Sequence, residues 1–228
     1  MIIKTIASSL TLSMILRYNV GLIDSLTRKI ALATIRAQVP IKVGEQSTIP
    51  AELFSFDGLS DDREHVALKF SSPETMEPPL VRIHSECFTG DVFNSSRCDC
   101  GDQLKESIAK VSAQGGFILY LRQEGRGIGL YPKIDAYALQ DQGYDTYEAN
   151  EKLGFLDDGR SFTVAAEMLQ AMHIDAIKLL TNNPQKEQLL RDNNIEIIET
   201  LPTGVYKKCD NIDYLKTKRN KKSHNLDI

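Results

Sequence analysis

Four cysteines in 228 residues are too few for a disulfide framework. They are also badly distributed for one: Cys87, Cys98 and Cys100 crowd together and Cys209 stands alone. Such clustering reads as metal ligation in a reducing compartment. The chain has no apolar run of the roughly 20 residues that a bilayer span needs, so no membrane partner is expected. It has no excess of basic residues either. Its 27 Lys and Arg stand against 31 Asp and Glu, a net charge of −4, which is the wrong balance for a broad face that grips nucleic acid. The exception is local: Lys207, Lys208, Lys216, Lys218, Arg219, Lys221 and Lys222 make the C-terminus basic, as a solvated tail. Low-complexity runs and internal repeats are absent. What remains is an ordinary globular composition, 42% hydrophobic and 25% charged, long enough for one sizeable core or one core plus a small appendage.

The N-terminus invites comparison with a secretory leader, because Ile6 to Leu16 is uncharged and partly apolar. Ser8, Ser9, Thr11 and Ser13 dilute that run. The nearest small-x-small site, Ala31-Leu32-Ala33, lies beyond Arg17, Asp24, Arg28 and Lys29. Residues 1–35 are therefore read as an N-terminal extension, helical or disordered, or as sequence upstream of the true start. A cytoplasmic location is expected.

Residues 36–71 alternate short apolar runs with turns. Val39-Pro40-Ile41 and Val66 to Phe70 read as strands, separated by Gly44, Gly58 and Asp61-Asp62. Pro73, Pro78 and Pro79 mark a connection before the strand Leu80 to Ile83. The pattern then becomes helix, strand, helix, strand. Asp102 is expected to cap a helix carrying Leu104, Ile108 and Val111 and ended by Gly115-Gly116. Phe117 to Leu121 follows as a buried strand, and Pro132 suits the first turn of a helix stopping at Gly143. Ser161 is expected to cap a helix from Thr163 to Met172. Ala176 to Leu180 is a strand, and Pro184 opens a helix leading to Ile195 to Ile198. The fold class expected is α/β: a layered, mixed but mostly parallel sheet flanked by helices, with a smaller β-rich N-terminal part.

Cys87, Cys98 and Cys100 have the spacing C-x10-C-x-C. Three thiolates and an open position suit a catalytic zinc, whose fourth place holds water and lowers its pKa to roughly 7. A fourth ligand from Cys209 or His84 would make the site structural instead, and buried free thiols are a third reading. The spacing does not choose among these.

After the strand at Phe117 comes Arg122-Gln-Glu-Gly-Arg-Gly-Ile-Gly-Leu130, directly before a helix. Its glycines allow backbone N–H groups to approach an anion, although the third falls one position early for a dinucleotide fingerprint. Glycine turns of this kind are commonly structural, but Arg122, Glu124 and Arg126 are costly charges to bury and useful to a charged ligand. Leu180-Thr-Asn-Asn-Pro-Gln-Lys186 is a second strand-to-helix turn that can face phosphates, or simply start a helix. Asp157-Asp158-Gly159-Arg160 alone reads as a surface turn with a weak ion pair.

Five strings stand together in one order: Arg82-Ile-His-Ser-Glu-Cys87, Arg97-Cys-Asp-Cys-Gly101, Arg122-Gln-Glu-Gly-Arg126, Ala136-Tyr-Ala-Leu-Gln-Asp-Gln-Gly-Tyr144 and Leu180-Thr-Asn-Asn-Pro184. With them, residues 36–222 resemble the GTP cyclohydrolase II family, leaving 223–228 as a tail. The resemblance implies a zinc-dependent hydrolase that converts GTP to 2,5-diamino-6-ribosylamino-4(3H)-pyrimidinone 5′-phosphate, formate and pyrophosphate, the first step of riboflavin synthesis. It implies Cys87, Cys98 and Cys100 as ligands of one catalytic Zn²⁺ per chain, and Mg²⁺ with the triphosphate. The nucleotide contacts it implies are Arg82, Ile83, His84, Ser85, Glu86, Gln103, Glu124, Gly125, Arg126, Thr146, Thr181 and Lys186. Asp158 matches the family's proton acceptor, Arg160 its proposed nucleophile at the α-phosphorus, and Tyr137 a tyrosine beside the guanine. A homodimer is implied as well.

Two residue roles follow from chemistry instead. A guanidinium stays protonated at ordinary pH, so Arg160 is expected to stabilise charge at the α-phosphate. A carboxylate such as Glu124 can accept from guanine N1–H and the 2-amino group. Rival readings are a relative that stops at the ring-opened formamide or prefers another purine nucleotide, a zinc-stabilised nucleotide-binding module, and a zinc-finger nucleic-acid binder. The last lacks a second ligand pair.

Overall fold

The structure is a computed structural model that describes residues 33–72, 78–155, 158–212 and 214–215, without the side chains of 146 and 147. Most of the N-terminal extension, Pro73 and the basic stretch from Lys216 onward lie outside the described residues.

The described residues form a seven-stranded mixed sheet in the order β1-β2-β3-β5-β4-β6-β7. β1 (Thr34–Val43), β2 (Ile49–Asp57) and β3 (Val66–Phe70) run antiparallel, and β3 pairs antiparallel with β5 (Gly116–Leu121). β5, β4 (Leu80–Ser85), β6 (Ala176–Leu180) and β7 (Glu196–Leu201) are mutually parallel. The expected α/β class and β-rich N-terminal part are both present. β1 begins at Thr34, inside the segment assigned to the extension. It is the outermost strand with mostly exposed side chains, which is why Pro40 is tolerated there: an edge position can lack a ladder N–H.

Helices connect the parallel strands, as parallel pairing requires. α1 (Phe88–Asp91) and α2 (Cys100–Gln114) lie between β4 and β5. α3 (Leu130–Gln140), α4 (Thr146–Lys152) and α5 (Thr163–Ala171) lie between β5 and β6, and α6 (Pro184–Asp192) joins β6 to β7. Alternation along the strands feeds two cores. Val81, Ile83, Leu119, Ile177 and Leu179 meet Val164, Met168, Leu169 and Leu190 of α5 and α6. Leu80, Ile118 and Leu180 meet Val111 of α2, with Leu104 and Ile108 beside it. Each fully buried aliphatic side chain contributes about 1.5–3 kcal/mol relative to exposure.

Two expected caps differ. The N-cap of α2 is Asp99, and Asp102 lies within the first turn, where its carboxylate pairs with Lys208 at 2.7 Å. The N-cap of α5 is Phe162, and Ser161 sits one residue earlier, its Oγ accepting from Thr163 N–H at 3.3 Å. Both shifts arise because a cap is set by where backbone dihedrals turn helical, not by which polar residue is nearest. Pro184 does open α6. Asn183 caps it, its side chain accepting from Gln185 N–H at 2.9 Å.

Candidate active site

The loops that follow β4, β5 and β6 carry the motif strings, so they converge at the carboxyl ends of parallel strands. That is where open α/β sheets form ligand crevices. β4 supplies both floor and wall. Leu80, Arg82 and His84 point toward the α2 side, while Val81 and Ile83 enter the opposite core.

The three clustered cysteines close one wall. Cys87 follows β4 and stands at the start of α1, Cys98 lies in the turn before α2, and Cys100 is the first residue of α2. Their sulfurs all lie within 4.8 Å of one another, and Cys87 and Cys98 are 3.6 Å apart. Tetrahedral Zn–S bonds of about 2.3 Å would place two sulfurs about 3.8 Å apart, so the donor set fits a thiolate-bound divalent metal. Gly90 keeps this cradle open: a Cβ there would lie 2.8 Å from Cys98 Sγ and 3.1 Å from Cys87 Sγ. Among the described residues, neither His84 nor Cys209 joins this metal-competent group; the Nε2 of His84 faces Asp91, and Cys209 is exposed.

The thiols also behave as a set that wants a cation. Hydrogen bonds from Cys100 and Cys98 hold the Cys87 thiol well below its ordinary value. Its bond with Cys100 pulls Cys98 down, but the Cys87 sulfur, burial and the Cys87 charge outweigh this and push it up to about 11. Hydrogen bonds with Cys87 and Cys98, together with burial, drive Cys100 upward. One thiolate thus forms at its neighbours' expense. Three together need a positive ion among them.

A buried carboxylate braces this wall from beneath. Asp91 accepts from Cys87 N–H at 2.9 Å and from the Tyr120 hydroxyl at 2.8 Å, and it meets His84 Nε2 at 3.1 Å. Burial pulls His84 below its ordinary value despite Asp91. Its ring stacks on Tyr120 with centroids 5.6 Å apart.

The glycine loop forms the next wall. Residues Glu124–Gly127 make a 3-10 turn in which Gly125 and Arg126 adopt left-handed φ values of 60° and 62°. Glu124 does not stand free to read a base. Its Oε2 accepts from Phe88 N–H at 2.5 Å, and its Oε1 accepts from Gly125 N–H at 2.7 Å and Lys133 Nζ at 2.8 Å. The Arg126 carbonyl accepts from Gly159 N–H at 3.0 Å, tying this loop to Asp158 and Arg160. Those two side chains form a two-pronged pair, Nε to Oδ1 at 2.8 Å and Nη2 to Oδ2 at 2.6 Å. Burial pushes Asp158 up, but the Arg160 fork outweighs it and holds the carboxyl below its usual range. Burial would lower Arg160, but Asp158 outweighs that and keeps the guanidinium above its ordinary value.

Arg82, His84, Ser85, Glu86, Gln103, Glu124, Gly125, Arg126, Tyr137, Arg160, Thr181 and Lys186 all line one cavity with the three cysteines. Arg82 is buried, with Nη1 on the Leu180 carbonyl at 3.2 Å and Nη2 on Gln103 Oε1 at 3.1 Å. Lys186 donates to the Ile83 carbonyl at 2.8 Å, so Ile83 takes part through its backbone while its side chain sits in the core. Tyr137 hydroxyl meets Thr89 Oγ1 at 3.2 Å, and the Arg97 guanidinium lies 4.8 Å from its ring centre. Asp158 is not among the lining residues and holds Arg160 from behind. Thr146 opens α4, and its side chain lies outside the described residues. Sequence reasoning missed Lys133, Asn150, Thr203 and Tyr214, which also line the cavity. Lys133 had a signal: with Tyr137 and Gln140 it falls at i, i+4 and i+7 on one helical face.

Among the described residues, six cations (Arg82, Arg97, Arg126, Lys133, Arg160 and Lys186) face two carboxylates, Glu86 and Glu124, around this cavity. A thiol wall able to hold a metal, set beside an excess of fixed positive charge, defines an α/β enzyme site for an anionic substrate. The family model for GTP cyclohydrolase II matches residues 33–202. The chain is 57% identical over 198 residues to the GTP cyclohydrolase-2 of Vibrio cholerae serotype O1, spanning 86% of this chain and 100% of that protein. The GTP cyclohydrolase-2 of Vibrio parahaemolyticus is 56% identical over the same shares of both chains. The Bacillus cereus protein named Riboflavin biosynthesis protein RibBA is 46% identical over 79% of this chain and 47% of its own length. The chain belongs to the GTP cyclohydrolase II family of enzymes.

Proposed function

We propose that this enzyme hydrolyses GTP at two places in one cavity, opening the imidazole ring at C8 with release of formate and removing pyrophosphate at the α-phosphorus. The product is 2,5-diamino-6-ribosylamino-4(3H)-pyrimidinone 5′-phosphate, and the reaction serves riboflavin synthesis. The observation that carries the reading is the meeting of three cysteine sulfurs with six cationic side chains around one cavity at the ends of β4, β5 and β6.

Cys87, Cys98 and Cys100 would hold a single Zn²⁺, which when bound supplies Lewis acidity and lets water act as a nucleophile at neutral pH. Mg²⁺ enters with the substrate's triphosphate. Arg82, Arg126, Thr181 and Lys186 meet the phosphate charge, with the turn into α6 presenting its N-terminal N–H groups. Arg160 stabilises charge at the α-phosphate: its guanidinium is held in a fork by Asp158 and stays protonated, so it is a donor and not a nucleophile. Asp158 fixes that fork and accepts a proton when substrate binding opens the pair. Tyr137 stands by the thiol wall through Thr89 and positions the ring. Glu124, with both oxygens engaged, holds the glycine loop against Cys87's helix instead of reading guanine. A homodimer in the cytoplasm completes the proposal. Among the described residues, no helix is long and apolar enough to cross a membrane.

The test is mass analysis of products from zinc-loaded protein, GTP and Mg²⁺, beside a Cys98→Ser control. Formate, pyrophosphate and the diaminopyrimidinone phosphate from wild type alone are expected. Intact GTP in both, with zinc bound to wild type, refutes the reading. A product heavier by one formyl group points to a relative that stops at ring opening.

A further inference from the structure

Lys133 sits on α3 one turn before Tyr137, and only 9% of it is exposed. Its ammonium donates to Glu124 Oε1 at 2.8 Å, to Thr89 Oγ1 at 3.1 Å and to Cys87 Sγ at 3.2 Å. An ammonium has three protons, and here three acceptors take them. Burying a lysine is unfavourable unless its charge and donors are matched, and a methionine would fill the same space without that penalty. What the charge gains is contact with two negative groups at once. One is the sulfur of a metal-ligand cysteine. The other is the carboxylate that holds the glycine loop to Phe88 N–H, the residue next to that cysteine.

We propose that Lys133 is a positioning residue of the metal site, fixing the Cys87 sulfur by hydrogen bond and charge and locking it to the loop at Glu124. The proposal rests on the reading that Cys87, Cys98 and Cys100 hold zinc. Three thiolates and one divalent cation leave a net charge of −1, and Lys133 brings a positive charge into contact with one of those sulfurs. A donor to a ligand sulfur also fixes that ligand's rotamer, as partners behind metal ligands do. Thr89 extends the chain of contacts, since its hydroxyl meets both Lys133 and Tyr137.

The experiment compares Lys133→Met, Lys133→Arg, Glu124→Gln and the double variant Lys133→Met with Glu124→Gln in the full chain. Zinc affinity is read by competition with a chromophoric chelator, and the sulfur-to-metal charge-transfer band is read after Co²⁺ loading. Lys133→Met should weaken zinc binding about 10- to 100-fold, with the loss persisting on the Glu124→Gln background. Lys133→Arg, which keeps the charge but changes the donor, should recover most of that affinity while shifting the Co²⁺ band. Zinc affinity within threefold of wild type in Lys133→Met overturns the proposal. So does a loss that vanishes on the Glu124→Gln background, because Lys133 would then serve only Glu124. If Lys133→Met does not fold, the Co²⁺ band of Lys133→Arg decides: a shift supports the contact with sulfur, and an unmoved band overturns it. Cys98→Ser separates the two readings. Wild-type zinc affinity in that variant sinks the metal site itself, whereas its loss beside unmoved Lys133 variants sinks only this inference.

Discussion

Removing the Asp91 carboxylate should destabilise the fold far more than one surface charge would. The side chain is only 4% exposed and serves three groups from different elements: Cys87 N–H at the start of α1, Tyr120 on β5 and His84 on β4. A hydrogen bond to a buried charged group contributes about 1.5–3 kcal/mol, and the three are not additive because they share one carboxylate. Asp91→Ala leaves all three partners without their acceptor, so the expected cost is about 3–5 kcal/mol. That is a large part of the 5–15 kcal/mol typical of a domain. For a chain of this size it lowers Tm by about 6–20 °C. Asp91→Asn keeps one acceptor oxygen. Turned toward Cys87 N–H and Tyr120, it leaves an amide N–H₂ facing His84 Nε2, so about half the loss is expected.

The assay is urea unfolding of the metal-free, reduced chain, because bound metal stabilises the native state by mass action and would mix affinity with stability. A second readout is the Tyr120 environment, followed by near-ultraviolet circular dichroism at low urea. If Asp91→Ala unfolds within about 1 kcal/mol of wild type, the three contacts are not coupled to folding as argued. The account of Asp91 as the brace beneath the thiol wall then fails.

Three further outcomes are expected. Arg160→Lys should keep pyrophosphate release within about tenfold of wild type and Arg160→Gln should lose about 100-fold or more, since a fixed charge-assisted donor contributes roughly 3–4 kcal/mol to a transition state; equal loss in both, measured by steady-state release, refutes the charge role. Gly90→Ala should abolish stoichiometric zinc binding, measured by metal analysis after gel filtration, because its Cβ would sit 2.8 Å from Cys98 Sγ. The pH dependence of stability carries a sign: burial depresses His84 below 6.5, so the unfolded state binds its proton more readily and stability is lost as pH falls below that value. Urea midpoints between about pH 7.5 and 5.5 should therefore fall less in His84→Gln than in wild type, and identical slopes would show that the ring is not held neutral.

How far the sequence carries depends on how local each decision is. β5, β6, α5 and α6 are legible because one segment contains its own period and its own stops. β2 was not: Pro50, Glu52 and Asp57 dilute its pattern, and it is a strand because β1 and β3 flank it in register, Leu53 facing both Val39 and Leu68. The site divides the same way. Three cysteines in C-x10-C-x-C suit a metal without choosing among a catalytic site, a structural site and free thiols, and only the fold shows that, among the described residues, neither His84 nor Cys209 joins them. Glu124 is the sharpest case. Read along the chain it is a free carboxylate in a glycine loop, suited to a base edge; in the fold its oxygens go to a helix start, its own loop and a buried lysine. None of those three contacts has a sequence signature, because Phe88, Gly125 and Lys133 are donors only by virtue of where the backbone brings them. Lys133 answers the same arrangement: the Glu124 carboxylate and the Cys87 sulfur lie close enough to share one ammonium, and α3 brings it to both. The sequence thus offers the candidate groups for chemistry, and the contacts that hold those groups at their distances belong to the tertiary structure.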